Sequence, residues 1–388
     1  MTENKGKWAS RHRKIEKSGY QAAAKMISFP RRWHGGMISA NQGAIWGMSV
    51  IAVVGLDIAK HVFQVHAVDE SGAVVDRRQL RRGKLMAYFG KLAPCLIGIE
   101  ACATAHYWGR ELGALGHEVR LIPPQYVKPY VKRNKTDAAD AEAICEAVAR
   151  PSMRFVGIKS VDQQAILVLH RSRDLLVRQR TMLSNAIRGH MAEFGVIAKQ
   201  GMAGTLLLAE IIGDESDDRI PDLARQVLAL LVGQLRDVVA KIDNLKRQML
   251  TWHKQHEISQ LLESIPGIGP VIATALTATV PDASVFSSGR QFSAWLGLVP
   301  GQHSSGGKQR LGRISKRGDG YLRRLLVTGA TAALERSQST RAQPWVQGML
   351  KRHPKKLVAV ALANKMVRIA WAVMNTGEVY RSAKPTVS

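Results

Sequence analysis

The chain predicts an α/β domain followed by a longer, mainly helical remainder. Three observations carry that reading. Between Ser49 and Ile122, short apolar runs alternate with turns and helical stretches. From residue 156 to 257, apolar side chains recur at threes, fours and sevens. Beyond residue 258, apolar helices alternate with Gly/Ser turns and arginine clusters.

Val50 to Asp57 and His61 to His66 read as the first two strands, with Ala73-Val74-Val75 as a third after the turn Asp69-Glu70-Ser71-Gly72. A helix through Lys84 to Leu92 leads to the strand Cys95 to Glu100. A second helix, to Leu115, precedes the strand Glu118 to Ile122, and Pro123-Pro124 breaks the chain there. Three strands, then helix, strand, helix, strand, make a mixed sheet rather than a doubly wound one.

Asp57 and Glu100 each close an otherwise apolar strand. A third acidic segment follows in Lys132-Arg133-Asn134-Lys135-Thr136-Asp137-Ala138-Ala139-Asp140. Asp137 and Asp140 are three apart in a helix-favouring run, so they share a face. Thr136 suits the N-cap, and aspartates in a first turn also offset the helix dipole without any chemistry. Lys132, Arg133 and Lys135 form a cluster that attracts phosphate. Two strand-end acids with an acidic helix packed across them make the ribonuclease-H-like plan. Four converging carboxylates would raise one another's pKa unless cations lay between them, and all-oxygen ligands suit Mg²⁺ or Mn²⁺.

Residues 156–257 read as a coiled-coil arm. Leu169, Leu176 and Leu183 recur at sevens with Ile166 and Ile187 beside them, and a second stripe runs from Val227 to Met249. An interruption near Gly213 to Pro221 lets the two helices pair antiparallel, as a spacer and oligomerisation element. In the third region, 258–388, Ile265-Pro266-Gly267-Ile268-Gly269 before an apolar helix has the form of a helix-hairpin-helix. Gly267 and Gly269 then either open backbone N–H groups to phosphate or simply permit a tight turn. After the loop Gly301 to Lys308 come Arg310, Arg313, Lys316, Arg317, Arg323 and Arg324. These are seven basic residues from Lys308 onward against one acid, Asp319. A solvated face would look similar, but the cluster follows a Ser/Gly loop and suggests a gripped nucleic-acid strand.

Composition agrees. The net charge of +26 over 388 residues calls for a polyanionic partner, nucleic acid first and an anionic membrane surface second. No apolar run reaches the roughly 18 residues of a span. Leu357 to Met374 is interrupted by Asn364, Lys365 and Arg368 and reads as a buried helix. Cys95, Cys102 and Cys145 have no pairing or zinc-ligand spacing, which fits a reduced cytoplasmic setting. Residues 1–47 carry nine Lys/Arg against two Glu and no continuous apolar segment. They read as a disordered basic extension, or as untranslated sequence upstream of Met48, and not as a signal peptide.

Five segments together resemble the transposases of the insertion-sequence 110 family. They are Val54-Gly55-Leu56-Asp57-Ile58-Ala59-Lys60, Gly98-Ile99-Glu100-Ala101-Cys102, Asn134 to Ala141, Ile265 to Gly269, and Phe292 to Pro300. The resemblance covers about Val53 to Val373. It implies a RuvC-like domain (48–155) holding metal on Asp57, Glu100, Asp137 and Asp140, and a C-terminal domain supplying Ser305 as nucleophile. A one-residue slip would exchange Ser305 with Ser304. The resemblance further implies donor and target DNA, a structured guide (bridge) RNA, a dimer or tetramer, and a nucleoid-associated place in a bacterial or archaeal cytoplasm. His303, two residues from Ser305, is a weak candidate for its base. Two other readings remain open: a metal-dependent RuvC-type resolvase or nuclease without serine chemistry, and a non-catalytic basic nucleic-acid-binding protein.

Overall fold

Strand-forming runs with their acids at one end build a five-stranded sheet in the first part of the chain. The structure, a computed structural model, describes residues 50–132, 136–302 and 310–381. The extension expected over residues 1–47 lies outside the described residues. So do Arg133, Lys135, His303, Ser304, Ser305 and Lys308. Two compact units divide between Val156 and Gly157.

In the first unit, β1 (Val53–Ile58), β2 (Val62–Val68) and β3 (Val74–Arg81) form an antiparallel meander. After α1 (Leu85–Phe89) come β4 (Leu96–Glu100), α2 (Ala105–Ala114) and β5 (Glu118–Ile122), and both of these strands run parallel to β1. The sheet order is β3-β2-β1-β4-β5. This is the mixed sheet that the strand and helix pattern predicts. α3 (Pro124–Val127) and α4 (Asp137–Val148) follow.

Two boundaries differ from expectation. β3 continues through Asp76-Arg77-Arg78-Gln79 to Arg81, because an exposed edge strand needs backbone pairing with β2 but no apolar face. The helix expected from Lys84 shrinks to Leu85–Phe89, whose two end residues are buried before Gly90. Pro123-Pro124 ends β5 as expected, and Pro124 then serves as the first residue of α3.

The second unit begins with α5 (Val161–Glu193), opened by a capping box between Ser160 and Gln163. α6 (Met202–Gly213) and α7 (Asp222–Lys254) complete the arm. α5 and α7 run antiparallel. Trp252, near the end of α7, donates to Asp162, near the start of α5, at 3.0 Å, while Ile187 and Met191 share a core with Leu228 and Val232. The apolar stripes gave no sign of α6, since Leu206, Leu207 and Leu208 are consecutive and mark no single face. Leu208, Ala209 and Ile212 bury while Leu206 and Leu207 remain exposed.

α8 (Glu257–Glu263) and α9 (Pro270–Thr279) flank the Pro-Gly turn. Beyond them lie α10 (Gly289–Trp295), the hairpin β6 (Pro300–Gln302) and β7 (Leu311–Ile314), α11 (Gly320–Arg336), α12 (Gln338–Arg341), α13 (Pro344–Arg352) and α14 (Lys355–Thr376). By length and composition α14 is long and apolar enough to cross a membrane. Val358, Leu362, Met366 and Val367 instead bury against the core of this unit, as the interrupted pattern predicts.

One buried polar group ties α5 to α9 and α11. His170 Nε2 lies 3.1 Å from the Thr274 hydroxyl and Nδ1 lies 3.0 Å from the Tyr321 hydroxyl. Thr274 gives its proton to the Pro270 carbonyl at 2.8 Å, so it accepts from Nε2–H and leaves Nδ1 to accept from Tyr321. Burial, with Arg173 second, pushes this imidazole down to about 4. A lowered folded pKa makes the fold favour the neutral ring. Its stability is then complete above the ordinary 6.5 and lost as pH falls from there toward 4. His170→Gln should therefore be less stable than the wild type at pH 7, by about 1–3 kcal/mol for the disturbed buried network. That gap should narrow between pH 6.5 and 4 in urea titrations. A gap constant across that range would rule out the buried neutral histidine.

Candidate active site

Two adjacent glycines decide where the acids go. Gly55 of β1 and Gly98 of β4 are direct partners in the parallel pair. A Cβ added to Gly55 would stand 2.0 Å from the Ala141 carbonyl oxygen, and one added to Gly98 would stand 2.7 Å from Val148 Cβ. α4 thus rests on bare backbone at both positions. Side chains alternate along a strand, so residues two further on share the glycines' face. Those residues are Asp57 and Glu100.

α4 brings the other two acids to the same end. Cys145 Sγ reaches back to the Val53 carbonyl, while Ala141 sits over Gly55, so the helix runs antiparallel to β1 and starts near Asp57. Thr136 caps it by accepting from the Ala139 N–H at 3.2 Å, placing Asp137 and Asp140 in the first turn. Asp57 registers this gathering. Its carboxyl is pushed up to about 6, first by burial and then by the charges of Asp140, Asp137 and Glu100.

The neighbouring acid Glu142 is handled differently. Lys132 Nζ bonds it at 2.8 Å and Arg77 stands 4.0 Å away, which holds its carboxyl below the usual range. Glu142 is therefore neutralised and stays apart from the four. Lys132, expected to meet phosphate, is exposed in this pair. A surface pair of this kind contributes at most about 1 kcal/mol and can exchange for another anion.

The donor set of four carboxylates fits a hard divalent cation in kind and in charge. Among the described residues no three of the His, Cys, Asp and Glu side chains are gathered at ligand spacing.

In the second unit, the segment Phe292 to Pro300 holds the foot of the β6–β7 hairpin. Phe292, Leu296 and Leu298 are buried. Gly297, at φ 72°, presses its backbone on Arg317, where a Cβ would lie 2.1 Å from the carbonyl oxygen. Gly318, at φ 77°, presses back on Trp295. Arg323 closes the interlock by donating to the Leu296 and Arg317 carbonyls at 3.0 Å each. Sequence reasoning placed Arg323 in the basic run, yet its guanidinium is used inside the fold. Arg324 pairs with Asp174 at 2.6 Å. Arg310, Arg313, Lys316 and Arg317 are exposed around the hairpin, whose strands bracket residues 303–309.

The Pro-Gly turn separates its two glycines. Gly267, at φ 92°, packs against Gly329 of α11, where a Cβ would meet the Gly329 carbonyl at 2.8 Å, whereas Gly269 faces open space before α9. Packing therefore accounts for Gly267. Gly55 and Gly98 were missed as positioning residues, although Gly-Leu-Asp and Gly-Ile-Glu repeat one pattern at two strand ends.

Residues 54–195, which contain all four acids, match a model for DEDD-type transposases of the IS110 group, and residues 259–345 match the model described as Transposase IS116/IS110/IS902 family. A probable family 20 transposase of Pseudomonas aeruginosa is 51% identical over 84% of this chain and 98% of its own length. The transposase for insertion sequence element IS1328 of Yersinia enterocolitica is 40% identical, covering 86% of this chain and 99% of its own. That for IS1111A of Coxiella burnetii is 40% identical over 86% and 92%. The chain belongs to the IS110 transposase family.

Two tests address how the acids of this IS110-family transposase are placed. Gly55→Ala should cost more stability than Gly98→Ala, because backbone blocks the first and a side chain the second. Overpacking of this kind costs about 1–3 kcal/mol, read from denaturation midpoints. Equal costs would count against the two-glycine seat. For Asp57, a raised folded pKa means the fold favours the protonated acid. Its contribution to stability is then greatest below the ordinary 3.8 and declines until pH passes about 6. Asp57→Asn should therefore gain on the wild type between pH 4 and 6 in chelator-containing buffer. Added Mg²⁺ should raise the melting temperature of the wild type and leave the variant nearly unmoved. A variant that responds like the wild type would remove Asp57 from the cation site.

Proposed function

We propose that this protein is the recombinase that excises and inserts its own insertion sequence, cutting and rejoining DNA through a serine-linked intermediate. The observation that carries the reading is that Asp57, Glu100, Asp137 and Asp140 stand at one end of the sheet, with the Asp57 carboxyl pushed up to about 6 by burial first and then by the charges of the other three. Membership in a transposase family makes DNA the substrate. The meander followed by two parallel strands, with the acids on β1, β4 and α4, supports a ribonuclease-H-like, RuvC-like assignment for the first unit.

The four carboxylates are the groups that would hold Mg²⁺ or Mn²⁺. When bound, such ions supply charge stabilisation to a scissile phosphodiester and its leaving oxygen. Ser305, whose role follows from the family resemblance, attacks the phosphorus through Oγ. The Oγ–P bond forms, the bond from phosphorus to one deoxyribose oxygen breaks, that oxygen leaves as a hydroxyl, and the serine proton passes to solvent. A hydroxyl of a second DNA end then attacks the phosphoserine and regenerates Ser305. Each step exchanges one phosphodiester for another, so rejoining needs no ATP. Arg310, Arg313, Lys316 and Arg317, exposed beside the hairpin, supply phosphate contacts. A structured RNA from the element itself selects donor and target, a reading that follows from the family resemblance alone.

The chemistry is tested by incubating the purified chain with end-labelled donor DNA, the element-end RNA and Mg²⁺, then denaturing. Label should stay attached to protein in the wild type. Ser305→Ala should abolish the adduct by a factor on the order of a thousand or more, and so should Asp57→Asn. Ser304→Ala should leave it. Cleaved DNA without attached protein would point to a resolvase using water, and no cleavage under any condition to a binding protein.

A further inference from the structure

The second unit holds a groove of about 1500 Å³ between α14, the β6–β7 hairpin and the start of α10. Its size exceeds the roughly 300–1,000 Å³ typical of small-molecule pockets. The floor is apolar, with Leu357, Val360 and Ile369 from α14 and Ile314 from β7. Along it stand four cations, Arg290, Arg313, Lys365 and Arg368, against a single acid among its described lining, Glu378. Trp345 presents an exposed ring with Lys365 Nζ 5.1 Å from its centroid.

Apolar surface and cations in one groove ask for a ligand with both flat apolar faces and repeated negative charge. Unpaired nucleotides have both. Duplex DNA offers its phosphates but keeps its base faces stacked inside, so it would leave the floor uncovered. A second copy of this chain, itself at +26, would bring positive charge to a positive rim.

We propose that this groove holds a few unpaired nucleotides of the DNA strand being recombined, bases on the apolar floor and the Trp345 ring, phosphates on Arg290, Arg313, Lys365 and Arg368. The proposal rests on the DNA-recombination reading and adds a place where a strand is held open. Stacking on an aromatic side chain is worth about 1–3 kcal/mol per base and tolerates any sequence.

The test uses the full chain in chelator, so that no strand is cut, with fluorescent dT12 and a 12-base-pair duplex as probes. Trp345→Ala should weaken dT12 binding about tenfold or more and change duplex binding less than about twofold. Trp345→Phe should restore most of the loss, and matching melting temperatures should show that each variant is folded. Arg368→Gln, at an exposed position, should weaken dT12 by a smaller factor and flatten its salt dependence. Asp57→Asn should bind dT12 as the wild type does, which keeps failure of the groove distinguishable from failure of the acidic site. Equal losses for dT12 and duplex, unchanged dT12 binding by Trp345→Ala, or a tenfold preference for U12 RNA over dT12 would each overturn the assignment.

Discussion

The acidic site depends on the backbone approach of α4 to Gly55 and Gly98. With any side chain at Gly55 the helix would have to lift from the sheet, since the atom in the way is the Ala141 carbonyl. Lifting it would carry Asp137 and Asp140 away from Asp57 and Glu100. The packing of Ile144, Ala147 and Val148 into the sheet core sets the depth of this contact. Hydrophobic burial here offsets the repulsion of collecting four carboxylates at the end of the same helix. Asp57 carries the clearest mark of that conflict, as its raised pKa comes from burial and from the three neighbouring acids together.

A parallel device shapes the second unit. Gly297 and Gly318 interlock backbone to backbone, and Arg323 binds the carbonyls on both sides. Positive φ at both glycines is a conformation that other residues adopt at a cost. The result is a rigid foot for the hairpin whose strands bracket residues 303–309. It also divides the basic run by use: Arg323 and Arg324 are engaged within the fold, while Arg313, Lys316 and Arg317 face solvent. A count of positive charges along the sequence cannot make that division.

The succession of strands and helices along the first domain, the acidic strand ends and the capped Asp137 helix were legible because each is a local pattern. Alternation, a Thr N-cap and a Pro-Pro break depend on neighbours in sequence. The length of β3 was not legible, since a paired edge strand tolerates Arg77, Arg78 and Arg81 wherever the register with β2 continues. α6 escaped because consecutive apolar residues carry no helical period. For Gly267 the sequence left a phosphate cradle and a plain tight turn open, and its contact with Gly329, 62 residues away in sequence, adds a packing reason that no local pattern carries.

The sequence by itself determined the candidate acids and the order of the elements that bear them. Asp57, Glu100, Asp137 and Asp140 stand out through residue type and position within short segments. Their convergence was decided by tertiary structure. It required Gly55 and Gly98 to become neighbours across two strands 43 residues apart and α4 to settle on their bare backbone. The groove on α14 has the same origin: its cations come from α10, β7 and α14, and only packing brings them to one side of an apolar floor. Local propensity acts over a few residues, whereas contact between distant segments follows from the shape of the whole core.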